Sequence, residues 1–250
     1  MSTITIGFAD SKPNERLIKF VRKIIAEEQS DTSTPSFERG HIPYSNSELS
    51  MLNDRFKDAI LTTPIDTASV YQYSIVGNKQ EDLPADTQLL IVDITQAYKH
   101  ARHIKALLKD LRTTNCAFLL LNPKSNGFQH IILKYDGTPI SSASILALPQ
   151  LFPTAVEHAG RVTLISPSTF KKSQIAIEKQ FVKTATQFYK DMGFIKLPLN
   201  TVEDFFEYAK QNCIDLLVLS KQDLNETMKV ITTKAFHDQL KKQDLSIFMA

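Results

Sequence analysis

The chain has 250 residues, 42% apolar and 22% charged, with a formal net charge of +2. That length buries a sizeable core as one large domain or two ordinary ones, and so small and mixed a charge excludes nucleic acid as the main partner. No apolar run approaches the roughly 20 residues of a membrane span, and the start of the chain lacks the basic stretch and long apolar core of a signal peptide, so the expected location is the cytoplasm.

In chain order, residues 3–9 read as a strand. Residues 14–28 read as a helix with Leu17, Phe20, Val21 and Ile24 on one face. The polar stretch 29–46, rich in Ser and Thr, shows no strand and reads as a loop. A helix over 47–61 follows, then strands at 69–76 and 89–93, a helix over 98–112 and a strand at Ala117–Leu121. Residues 122–128, with Pro123, Ser125 and Gly127, read as a linker. The expected domains are 1–124 and 129–250, joined by 125–128.

The second half is clearer. A buried strand at 129–135 precedes a helix over 141–159 that Pro149 and Pro153 bend or interrupt, with Gly160 as its stop. The strand 161–165 leads to an amphipathic helix over 173–192, whose apolar stripe is Ile177, Phe181, Ala185 and Phe188, and which Gly193 ends. A strand at 194–199 follows. Thr201 caps a helix over 202–212 with Glu203 and Asp204 in its first turn. A strand at 215–219, a helix over 226–243 and a strand at 245–249 complete the chain. Strands alternating with helices imply a parallel sheet covered on both faces.

The two halves share a pattern. Ile4–Ala9 ends in Asp10-Ser11 as Ile131–Tyr135 ends in Asp136-Gly137-Thr138, with the aspartates 126 positions apart. Leu89–Val92 and Leu216–Leu219 are offset by 127, and Cys116–Leu121 and Leu245–Ala250 by 129. Three strand-like runs at nearly one offset imply a tandem duplication.

With its first strand closing on Tyr135-Asp136-Gly137-Thr138, and with Leu216–Leu219 and Leu245–Met249 in the places of strands four and five, the second half resembles a universal stress protein domain. The first half resembles a more diverged copy, with Phe8-Ala9-Asp10-Ser11 at the matching turn. The resemblance implies two tandem Rossmann-like (adenine nucleotide alpha hydrolase-like) domains, each a five-stranded, mostly parallel sheet with helices on both faces. It also implies that the fifth strands, Ala117–Leu121 and Leu245–Met249, pair with each other, and it leaves further association into a homodimer open. A terminal apolar strand ending at Ala250 fits such burial, since a free edge would risk aggregation.

The departure from the family concerns phosphate. Nucleotide-binding members resemble one another in a Gly-x2-Gly-x9-Gly-Ser/Thr loop after strand four, where glycines let backbone N–H groups approach phosphate oxygens. Here the seven glycines are Gly7, Gly40, Gly77, Gly127, Gly137, Gly160 and Gly193, so neither copy has one after strand four.

Ligands of open α/β sheets bind at strand carboxyl ends where strand order reverses. In the first copy that point places Asp10 and Ser11 opposite Asp93 and Thr95, an acidic pair that repels a triphosphate; both aspartates are expected to cap local turns. In the second copy it places Asp136, Gly137 and Thr138 opposite Ser220, Lys221 and Gln222. Lys221 could meet an anion there and Ser220 could hydrogen-bond it, which makes ATP or AMP the alternative to no cofactor. The favoured reading is the plainer one, a turn fixed by Asp136 and a solvated Lys221.

Other chemistry is sparse. His100 and His103 share a helix face, but Lys99, Arg102 and Lys105 around them oppose a divalent cation. Cys116 and Cys213 read as reduced core or near-core thiols. No nucleophile elbow, Cys-x-x-Cys or phosphate loop is present. The expected function is therefore a non-enzymatic stress-response or adaptor role through a protein partner, with a nucleotide or anion sensor as the alternative.

Overall fold

Strands Ala117–Leu121, Leu216–Leu219 and Ser246–Met249 are buried along their whole length. Near-continuous apolar runs of this kind belong to central strands covered on both faces. The computed structural model describes residues 2–8, 69–75, 87–98, 100–110, 116–125, 127–169 and 172–250. The expected helices at 14–28 and 47–61, the polar stretch 29–46, and Asp10 and Ser11 lie outside the described residues.

Nine described strands form one mixed sheet: β1 (Ser2–Phe8), β2 (Ser69–Ile75), β3 (Thr87–Asp93), β4 (Ala117–Leu121), β5 (His130–Lys134), β6 (Arg161–Pro167), β7 (Gly193–Leu197), β8 (Leu216–Leu219) and β9 (Ser246–Met249). Their order is β2-β1-β3-β4-β9-β8-β5-β6-β7. The strands form one sheet, not two separate ones. β2, β1, β3 and β4 run parallel to one another, as do β9, β8, β5, β6 and β7. The two groups meet antiparallel at β4 and β9, with Phe118 opposite Met249, Leu119 opposite Phe248 and Leu120 opposite Ile247. The strands that meet are those named from the sequence as fifth strands.

Side-chain alternation divides the buried residues into two layers. Leu119, Leu133, Leu164, Val218 and Phe248 face α2 (Pro139–Leu151), α3 (Pro153–Glu157) and α4 (Lys172–Ala185). Phe118, Leu120, Ile132, Leu217 and Ile247 face α1 (Ala101–Asp110), α5 (Val202–Gln211), α6 (Leu224–Ile231) and α7 (Lys234–Leu240). Each layer contains residues from both strand groups, so hydrophobic burial crosses the seam. Polar groups tie it as well. Asn122 receives the Ser246 hydroxyl as acceptor for its N–H at 3.0 Å, and its amide donates to the Gln243 carbonyl at 3.0 Å. Among the described residues no helix is long and apolar enough to cross a membrane.

Several expected elements are shorter or divided. The helix expected over 141–159 is two, α2 and α3: Phe152 closes the first with its N–H on the Leu148 carbonyl, and Pro153 opens the second. Pro149 is buried inside α2 without ending it. The helix expected over 226–243 is also two, because the Thr233 hydroxyl accepts the Phe236 N–H and starts α7 afresh. The helix expected over 173–192 stops at Ala185, and Gly193 begins β7. Its buried stripe is Glu178, Phe181 and Ala185, while Ile177 and Phe188 are exposed. Glu178 displaces Ile177 from the interior because the Ser166 hydroxyl donates to it and Lys196 pairs with it at 2.6 Å. Cys116 is buried as expected, whereas Cys213 is exposed, in a left-handed turn of φ 52°.

Ile247 is fully buried in the seam, opposite the apolar Leu120. Ile247→Asp should lower unfolding free energy by roughly 3–5 kcal/mol, the cost of an uncompensated buried charge. Denaturant unfolding and hydrodynamic size measure this; an unchanged midpoint and size would mean the β4–β9 pairing is not needed for stability.

Candidate functional site

The carboxyl ends of β5, β6 and β7 surround a cavity of about 340 Å³ lined by Lys134, Tyr135, Asp136, Pro167, Thr169, Gln174, Leu199, Asn200 and Phe205. That volume falls in the range of small-ligand sites. Its walls are apolar at Pro167, Leu199 and Phe205, and polar at Asp136, Thr169, Gln174 and Asn200. Tyr135 forms part of the floor, stacked on Phe181 with ring centroids 4.5 Å apart and planes 7° from parallel.

Asp136 enters the cavity wall from a tightly bonded turn. Gly137 takes φ 83°, a conformation open to glycine at no steric cost. The Thr138 N–H and hydroxyl donate to Asp136 Oδ1 at 2.9 and 2.7 Å, and Thr138 caps α2 by accepting the Ser141 N–H at 3.1 Å. Burial raises the Asp136 pKa, but the bonds from Ser141 and Thr138 and the nearby Lys134 outweigh it and hold the carboxyl below its usual range. The same arrangement recurs after β3, where the Thr95 N–H and hydroxyl donate to Asp93 Oδ1 at 2.8 and 2.6 Å. Asp93 thus caps the turn Ile94–Gln96, as the sequence suggested.

The crevice expected between β5 and β8 is bridged rather than open. Lys134 Nζ lies 2.5 Å from Asp223 Oδ1, with side-chain exposures of 11% and 12%. Ser220 gives its N–H and hydroxyl to Asp223 Oδ2, both at 3.1 Å, and the Asp223 N–H returns to the Ser220 carbonyl at 3.0 Å. The Ser220 and Asp223 main-chain N–H groups are thus both bonded within the turn.

Of the residues singled out from the sequence, only Asp136 lines the cavity; Gly137 and Thr138 shape its turn, and Ser220 binds Asp223. Lys221 corrects the expectation most. It is neither solvated nor in the crevice: it is buried, with Nζ 5.0 Å over the Phe118 ring. Burial pulls its pKa down and pushes the Cys116 thiol up to about 11, each charge partly offsetting the other's shift. Lys134, Thr169, Gln174, Asn200, Phe205 and Asp223 were not singled out from the sequence. Two signals pointed to part of the set: a lysine closing the apolar run Ile131–Leu133, and Asp223 three residues after Ser220 in a capping-box spacing. His100 is exposed, the His103 side chain lies outside the described residues, and among the described residues no three His, Cys, Asp or Glu gather as a metal site.

No protein-family model and no curated protein matches the sequence. Solved structures share the fold. A protein of Pseudomonas aeruginosa UCBPP-PA14, provisionally assigned as a universal stress protein, aligns over 99% of this chain and 92% of its own at TM-score 0.55 and 11% identity. A functionally unknown protein of Pseudomonas aeruginosa PAO1 aligns over 99% of this chain and 91% of its own at TM-score 0.50 and 12% identity. This α/β fold is therefore of the universal stress protein kind, at identities that speak for architecture alone.

Because the folded state depresses the Asp136 pKa, the stability that its ionised form contributes is present above the ordinary carboxylate pKa and lost as pH falls through the folded value. The stability gap between the native chain and Asp136→Asn should hold from neutral pH down to about pH 4 and close below it. Melting temperatures across pH 2.5–7 (roughly the carboxylate range) test this, and a gap that widens toward acid would contradict the assigned direction.

Proposed function

We propose that the chain is an internally duplicated, non-catalytic protein of the universal stress type, acting in the cytoplasm as a stress-response or adaptor protein through a protein partner, and not holding ATP through a phosphate loop. The observation that carries this reading is the turn after β8. Its Ser220 N–H and hydroxyl are spent on Asp223, and a carboxylate stands where incoming phosphate would need donors. The turn after β3 is likewise closed on Asp93.

The duplicated reading draws support from connectivity. β1, β3 and β4 stand to one another as β5, β8 and β9 do, and the two groups meet through β4 and β9. The non-catalytic reading draws support from the charged groups near the cavity. Lys134 is engaged by Asp223, Asp136 by its own turn, and Glu178 by Ser166 and Lys196. No general acid and base stand together there among the described residues.

The cavity beside Asp136 favours one second reading, a sensor of a small ligand such as ATP or AMP in the second half. The two readings separate on the melting temperature of the native chain with ATP, ADP and AMP. A ligand at a hundred times its dissociation constant adds about 2.7 kcal/mol of stability, several degrees in melting temperature. The expected result is no shift with any of the three. A clear shift that Asp136→Ala abolishes would replace the adaptor reading with the sensor.

A further inference from the structure

The end of β5 and the turn after β8 aim three donors at one carboxylate. Ser220 supplies a main-chain N–H and a hydroxyl at 3.1 Å each, and Lys134 an ammonium at 2.5 Å. These strands are neighbours running in parallel, so both donor groups come from adjacent carboxyl ends. An ammonium, a hydroxyl and a backbone N–H converging at such a place form an oxyanion-binding set. Here the oxyanion belongs to the chain itself. Lys134 also lines the 340 Å³ cavity, so one ammonium adjoins both the resident carboxylate and the space open to a ligand.

We propose that Asp223 is a resident competitor for a phosphoryl-bearing ligand: it occupies the donors of Lys134 and Ser220, and an oxyanion from the cavity takes them only when the Asp223 charge is removed or displaced. The inference rests on the reading that the native chain does not hold phosphate. Asp223 is an effective competitor because it is tethered. A side chain three residues from Ser220 meets its donors at a high effective concentration, against which free phosphate must compete. Its charge also repels an approaching anion directly. The arrangement satisfies a half-buried lysine internally: Asp223 pairs with Lys134, and the two Ser220 bonds hold the Asp223 carboxylate in place.

The test is titration of inorganic phosphate and of AMP, by calorimetry at low ionic strength, into the native chain and into Asp223→Asn. Asparagine keeps an oxygen for the Ser220 N–H while removing the charge. Asp223→Ser, shorter and also able to accept that bond, is the second variant, and circular dichroism checks that each is folded. The expected result is a dissociation constant for phosphate at least about tenfold lower in either variant than in the native chain, with the gain lost in the Lys134→Met, Asp223→Asn double variant. AMP tighter than inorganic phosphate would identify a nucleotide's phosphoryl group as the fitting source. Equal affinities would identify free phosphate. A folded variant with unchanged affinity for both probes overturns the proposal, as does a gain that survives loss of Lys134. Native-chain binding that depends on Asp136 would instead overturn the non-binding reading, so the two failures are distinct.

Discussion

Two strands buried on both faces, Ala117–Leu121 and Ser246–Met249, each require a hydrogen-bonding neighbour on either side. Left unpaired, an apolar strand edge carries a row of main-chain donors and acceptors with neither water nor protein to meet them. Each strand already has a parallel neighbour within its own group, β3 for β4 and β8 for β9. Pairing the two remaining edges removes both liabilities at once, and the antiparallel register of three residue pairs does so. Much else in the molecule follows from that join: the continuity of both side-chain layers, the packing of α1 against α6, and the Asn122 bonds to Gln243 and Ser246.

The antiparallel join also decides where a ligand can and cannot be held. Because one parallel group runs against the other, the carboxyl ends of β3 and β5 lie at opposite edges of the sheet. Asp93 and Asp136, alike in their local bonding, therefore cannot face one ligand. The join further brings the start of β4 beside the ends of β8 and β9. That is why Lys221, which follows β8, lies over Phe118 of β4 and influences Cys116. A residue read as part of a binding crevice is instead part of the seam.

Much of the fold was legible because buried parallel strands read as continuous apolar runs, and the second half supplied four of them, β5, β6, β8 and β9, at helix-spaced intervals, while the mostly exposed β7 read as a strand by its place after a helix. The strand identities and their alternation with helices needed no side-chain detail. Boundaries were less legible where two signals competed. A single amphipathic period over 226–243 hides a break made by one hydroxyl, Thr233, whose bond to the Phe236 N–H is a local event that periodicity does not register. In α4 the stripe was read correctly at Phe181 and Ala185 but one residue off at its start, because Ile177 is the more apolar choice and nothing local says that Ser166 and Lys196 wait on β6 and β7 to satisfy Glu178. The site was legible only at Asp136 and its turn. The other cavity residues come from four separate segments, and their convergence is a property of strand order.

Lys134 and Lys221 show why a lysine near a strand end cannot be assigned a role from its position alone. Lys134 closes β5 and Lys221 follows β8, so both begin near the same edge of the sheet. Lys134 finds a carboxylate within 2.5 Å and keeps one side toward the cavity. Lys221 is carried over the seam onto an aromatic ring, where burial disfavours its charge and the ring face partly compensates. The two side chains differ in what the strand order places beside them: Asp223 in one case, and a strand from the other half of the chain in the other. Charge available to a ligand in this fold is thus set less by how many basic residues stand near the carboxyl ends than by which of them the internal carboxylates and the seam have already claimed.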